Sequence, residues 1–191
     1  ANAILPTYSE IVGSGMSEGG RYYRCSLIYF NASSVPGSIM TAATLKAKVS
    51  HQTRPLNVET HKCLREWGEG DGISTVAETG TCSAQWFAKA DGASEGGGID
   101  DGEWKAFTDA WANGAKNDTL EYLNDYDMEA VASDSIMPPA VDSWAEWDVL
   151  DINDSGIFNI FLCSAAHEWD YLGKYTYFHG SDSSTAADHP K

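Results

Sequence analysis

The stretch Leu45-Lys46-Ala47-Lys48-Val49-Ser50 alternates apolar and polar residues without a break. A period of two sets Leu45, Ala47 and Val49 on one face of a strand and Lys46, Lys48 and Ser50 on the other, so the strand has one dry and one wet side. Leu56, Val58 and Thr60 repeat the pattern against Asn57, Glu59 and His61, after a strand entry marked by Arg54-Pro55. On this reading His61 sits on the wet phase and is solvated. Two further runs, Arg24 to Phe30 (RCSLIYF) and Ile157 to Cys163 (IFNIFLC), are apolar on both phases and predict central strands covered on both sides. Tyr175 to Phe178 (YTYF) adds an aromatic strand, and turn-forming residues separate these runs at 31–37, 68–72, 91–98 and 153–156. Many short strands with frequent turns predict an all-β fold, a jelly-roll β-sandwich.

The chain of 191 residues fits one such domain, and 42% hydrophobic residues suffice for a packed core. Residues 91–143 differ in composition: 13 acids stand there against only Lys105 and Lys116. We read this as a long acidic insertion carried on a single domain spanning 1–191. One short helix is an expectation at 103–112, where Trp104, Phe107 and Trp111 recur at helical spacing. No apolar run approaches the roughly 18–20 residues of a membrane span, and no basic-then-apolar signal peptide is visible. With 28 acids against 12 Lys plus Arg, the net charge is -16. That field repels phosphate backbones, so nucleic acid is not an expected partner.

A search for chemistry returns little. There is no G-x-S-x-G elbow, P-loop, H-E-x-x-H or G-x-G-x-x-G, and the five histidines lack metal-ligand spacing. The chain reads as no enzyme, with no cofactor required. Asp151 to Gly156 imitates the start of an EF-hand loop. The position that needs a bidentate Glu is instead Leu162, in an apolar strand, so a turn is the better account. A structural Ca2+ held by loop carboxylates remains an expectation, with Asp100, Asp101, Asp125 and Asp127 as its ligands. Four cysteines (Cys25, Cys63, Cys82, Cys163) allow three pairings, and buried thiols serve equally well in a domain of this size.

Seven Trp and nine Tyr exceed what core filling requires. Aromatic faces stack on the apolar face of a sugar ring, so rings in polar surroundings are candidate glycan platforms. These are Trp104, Trp111, Tyr122, Tyr126 and Trp169, whereas Trp67, Trp86, Trp144 and Trp147 flank strand patterns and read as structural. Asn-x-Ser/Thr sequons stand at Asn31, Asn117 and Asn153.

Several motifs follow one another in a recognisable order. The stretch Arg24 to Pro36 (RCSLIYFNASSVP) is followed by Ile39, Ala42 or Ala43, and Leu45; then come Trp67-Gly68-Glu69-Gly70 and Gly80 to Trp86. Trp144 to Val149 (WAEWDV) and Phe178 to Ser184 complete the series, with His189-Pro190-Lys191 at the end. This order resembles the DNRLRE, or disaggregatase-related, domains, over about residues 20 to 191. The resemblance implies a jelly-roll sandwich in an extracellular or particle-surface setting. It also implies glycan binding in some members and structural use in phage virions. Asn31 stands where the family has Asp, and His189 where it has Arg. The family's opening strand is expected to be absent or shortened, and its last strand is expected where the chain stops. A partner completing the sheet by strand addition is the corresponding expectation.

The sequence therefore predicts a structural or adhesion domain of an extracellular or virion surface assembly: a fibre, a tail or a capsid decoration. Its partners are other proteins of a homo- or hetero-oligomer, with a polysaccharide as a second ligand. The alternative is a carbohydrate-binding module of a secreted polysaccharide-degrading enzyme.

Overall fold

The computed structural model describes residues 10–17, 20–24, 26–34, 40–53, 56–67, 127–129, 131–164, 174–180 and 183–191; for 10–17, 20–24, 164, 174 and 175 it describes the backbone alone. The chain divides into two compact units, one made of Ala1–Lys62 with Val131–Lys191 and the other of Cys63–Ala130.

The first unit is built from strands. In chain order these are β1 (Glu10–Ser17), β2 (Gly20–Arg24), β3 (Ser26–Asn31), β4 (Thr44–Gln52), β5 (Val58–Lys62), β6 (Asp134–Ile136), β7 (Trp144–Asp148), β8 (Ile157–Ser164) and β9 (Lys174–Phe178). They form two antiparallel sheets, in the orders β2-β1-β9-β4-β7 and β3-β8-β5-β6. Apart from β1 with β2 and β5 with β6, which pair within one sheet, successive strands alternate between the two sheets, as in a β-sandwich. Among the described residues no helix is long and apolar enough to cross a membrane.

The alternation in β4 does what its period dictates. Leu45, Ala47 and Val49 are buried, and opposite them β7 turns Ala145 and Trp147 inward. From the second sheet come Ile28 of β3, Val58 of β5, and Phe158, Ile160 and Leu162 of β8. Burying each of these larger side chains contributes about 1.5–3 kcal/mol, which is why both sheets close on this layer. Trp147 spans the layer: its Nε1 donates to the Val58 carbonyl at 3.0 Å, and its ring meets Phe178 edge-on at 5.6 Å.

β8 is an interior strand, and both of its faces are buried from Phe158 to Cys163 except at Asn159. The same expectation fails for RCSLIYF. β3 lies at the sheet edge, with Ile28 inward and Leu27 and Tyr29 half-buried outside. An opening strand is also present, since β1 pairs with β9 and carries β2 on its far side. His61 is a further correction. It occupies the outer phase of β5 as its spacing requires, yet is only 2% exposed, with Glu59 Oε2 3.2 Å from Nε2. β5 pairs with β8, whose outer residues Phe161 and Cys163 are equally buried, so this phase is not wet. The stretch after Leu150 is a turn, as expected: a short 3-10 segment (Leu150–Ile152) leads into a tight hairpin between Asp154 and Ile157.

In the second unit the described residues are 63–67 and 127–129. Cys63 bridges antiparallel to Met128, Leu64 N donates to the Asp127 carbonyl at 2.8 Å, and Cys63 and Met128 are buried. The insertion expected over about 91–143 has its final part in the described residues, where 134–136 form β6 on the flank of β5. Its expected helix, 103–112, lies outside them.

Candidate functional site: the acidic outer face of β4 and β7

The residues that alternate with the core in β4 and β7 meet on the opposite face. Lys46 stands across from Glu146 in the ladder, and Nζ lies 2.6 Å from Oε1. Both side chains are about half exposed, so this pair adds little to stability. Lys48 is less exposed and reaches Asp188 Oδ1 at 2.8 Å, with Asp142 Oδ1 at 4.0 Å.

Asp188 belongs to a short 3-10 turn (Ala186–Asp188) in a terminal arm that returns across this face. Two residues later Pro190 is buried, and Lys191 exchanges backbone hydrogen bonds with Lys46 at 2.8 and 2.9 Å. The Lys191 ammonium stacks over the Trp144 ring, 4.7 Å from its centroid, a cation–π contact. Backbone pairing, an ion pair and a ring contact thus hold one arm.

The Lys48–Asp188 hydrogen bond holds the Asp188 carboxyl below its ordinary value and the Lys48 ammonium above its own. A lowered carboxyl contributes stability above its unfolded pKa of 3.8, and that contribution is lost as pH falls through the lowered folded value. A raised ammonium contributes below 10.5, and its share is lost as pH rises through the raised folded value. The arm should therefore be held firmly between about pH 5 and 9 and loosen at either extreme. Amide protection at Lys46 and Lys191, taken relative to the intrinsic exchange rate, should be level across that range. It should fall on both sides of it, below the ordinary Asp188 value of 3.8 and above the ordinary Lys48 value of 10.5. Lys48→Met should remove both falls, and an unchanged profile in that variant would refute the assignment.

At the outer end of β7 the acids act on the backbone. Asp134 Oδ2 accepts from the Asp148 N–H at 2.9 Å, Ser133 Oγ donates to the Asp148 carbonyl at 3.1 Å, and Asp148 Oδ1 accepts from Leu150 N at 3.0 Å. These contacts bind the end of β7 to β6 and to the turn that follows.

Of the residues singled out by sequence, Trp104, Trp111, Tyr122, Tyr126 and Trp169 lie outside the described residues, as do Asp100, Asp101 and Asp125. Asp127 is described. It is 2% exposed, and its Oδ1 accepts from Arg65 Nε at 3.4 Å. Among the described residues no group of three or more His, Cys, Asp or Glu is placed to hold a metal ion. Trp147 is the core ring its strand pattern predicts, whereas Trp144 is half-buried on the outer face beneath Lys191. The Lys46, Lys48, Glu146 and Asp188 cluster was not singled out. Its signal is the shared polar phase of two strands that face each other, which alternation reveals only once the pairing is known.

No protein-family model matches the chain, and no curated protein matches it.

Proposed function

We propose that this chain is a non-catalytic structural and adhesion domain on the outside of an assembly, a virion, fibre or secreted complex, with attachment to glycans as its purpose. The observation that carries the reading is the outer face of β4 and β7. Its charged groups are engaged with one another and with the terminal arm, while the outward backbone of β7 at Trp144 and Glu146 has no protein partner among the described residues. A sheet margin left in this state is a joining surface. The net charge of -16 keeps such an exterior soluble and directs it away from nucleic acid. The resemblance of the ordered motifs to the DNRLRE domains favours the same setting.

Two measurements test this reading. Purified extracellular particles or virions from the source should contain the chain as a repeated subunit; finding it only as a freely secreted monomer would sink the assembly role. Tryptophan fluorescence should respond to at least one neutral or anionic polysaccharide, with calcium added for the anionic ones because the domain is itself acidic. Silence across the panel would remove glycan attachment. The surplus of Trp and Tyr favours the alternative, a carbohydrate-binding module of a secreted enzyme. That alternative predicts the glycan response together with monomeric behaviour. Polysaccharide turnover by the purified chain, abolished by one carboxylate substitution, would overturn the non-catalytic reading altogether.

A further inference from the structure

We propose that the outer margin of β7 receives one additional strand, an extended segment of a partner protein bearing lysine or arginine on alternate residues. The inference rests on the assembly reading and names the edge and the chemistry of what joins it.

The ladder geometry identifies the groups available. Val49 N donates to the Ser143 carbonyl and Val149 N to the Ala43 carbonyl. Hydrogen-bonded pairs in an antiparallel ladder recur every second residue, so between these ends Ala145 and Trp147 turn their backbone groups toward β4. Trp144, Glu146 and Asp148 turn theirs away from the sheet. Asp148 is closed off by Asp134 and Ser133. The N–H and C=O groups of Trp144 and Glu146 remain, two donors and two acceptors at the spacing that one strand residue between them supplies.

Charge selects the occupant. Around this margin stand Asp134, Asp142, Glu146 and Asp148; Lys46 reaches Glu146 and Lys48 reaches Asp142, while Asp134 and Asp148 have no basic partner among the described residues. A second copy is the poorer fit. Two-fold pairing about Ala145 would set Trp144 opposite Glu146 of the other copy, but it would also bring Asp142 against that copy's Asp148, and each chain carries a net charge of -16. Like charges directly opposite each other destabilise a strand pair. A strand with lysine or arginine on the same face as Glu146 and Asp148 relieves that charge and completes the hydrogen bonds at once.

The test uses the full chain with two synthetic peptides of alternating sequence, one of Lys and Val and one of Glu and Val, read by amide hydrogen exchange. The lysine peptide should slow exchange at Trp144 and Glu146 by about tenfold or more, and the glutamate peptide should have little effect. Glu146→Pro supplies the structural control. Its N–H points outward, so proline removes no bond to β4 and the sheet should persist, while the added strand loses a donor and meets the ring. Protection at the Trp144 amide that disappears in this variant, with the β4 amides unchanged, supports the proposal. No protection with either peptide overturns it, and equal protection by both overturns the basic partner. Protection of the same amides by the chain alone at high concentration would assign the edge to a second copy instead. Peptide addition to a chain found only as a secreted monomer would defeat the assembly reading and leave this edge standing; a chain found in particles but inert to peptides would do the reverse.

Discussion

Replacing Trp147 by alanine should cost the sandwich about 3–5 kcal/mol, the largest loss expected from any single core truncation in the described residues. Three contributions converge on this ring. It is fully buried between the sheets and is the largest of the fully buried side chains among the described residues. Its edge-on contact with Phe178 joins two strands of the first sheet that are not neighbours, since β4 lies between β9 and β7. Its Nε1 donates to the Val58 carbonyl of the opposite sheet at 3.0 Å, a hydrogen bond that crosses the core. Trp147→Phe separates the terms, because it keeps much of the packing and loses the donor. About 1–3 kcal/mol should go with that bond if the Val58 carbonyl is left unsatisfied. The chain contains two compact units, so a single global midpoint is a poor measure. Opening free energies from native-state exchange at Ala47 and Ala145 report on this sandwich alone. A loss below about 1 kcal/mol for the alanine variant would mean that the ring does not join the sheets.

The strands β4 and β5 and their inward residues were legible because alternation fixes a phase. Leu45, Ala47, Val49, Val58 and Thr60 all face inward as their spacing requires. A phase says which residues share a face, but not what lies against it. That is why His61 was misread: the outer phase of β5 is covered, and a polar residue there is buried beside Glu59. RCSLIYF failed for a related reason. Apolar residues on both phases also suit an edge strand whose outer face is half covered, and Leu27 and Tyr29 occupy that face. The outer charge cluster was invisible for want of pairing. Lys46 and Glu146 are separated by 100 positions and Lys48 and Asp188 by 140, so only the sheet order brings them together. The strand register also places an open margin at Trp144 and Glu146, away from the edges expected beside a missing first and last strand.

Gly156→Ala should destabilise the same sandwich by about 2–4 kcal/mol, through backbone geometry and not through any lost side chain. Asp154 and Ile157 exchange backbone hydrogen bonds at 2.8 and 2.9 Å, which leaves Ser155 and Gly156 as the two central residues of the hairpin. Both have positive φ, 54° and 89°, the pattern of a type I′ turn. A side chain at φ +89° is strained in itself. Here it would also collide, because a Cβ on Gly156 would lie 2.8 Å from Ser33 Cα, 2.9 Å from Ser33 N and 3.2 Å from the Ala32 carbonyl carbon. All three are backbone atoms, which no rotamer change can move aside. They are also held in place: Ala32 N donates to the Gly156 carbonyl at 2.7 Å, and Asn31 Oδ1 accepts from both the backbone N and the Oγ of Ser33. The turn is fixed from its other side by Asn153 Oδ1, which accepts from Gly156 N at 2.8 Å. Relief therefore requires the segment after β3 to move away from the hairpin, and exchange at the Ala32 amide should rise along with the loss of stability. Ser155→Asn is the matched control. It places a residue tolerant of positive φ at an exposed position and should be neutral or slightly stabilising. If Gly156→Ala fell within about 0.5 kcal/mol of the parent, like an ordinary surface change, the close approach of this turn to Ser33 would be wrong. If both substitutions were equally damaging, the fault would lie in the turn's dihedrals and not in that contact.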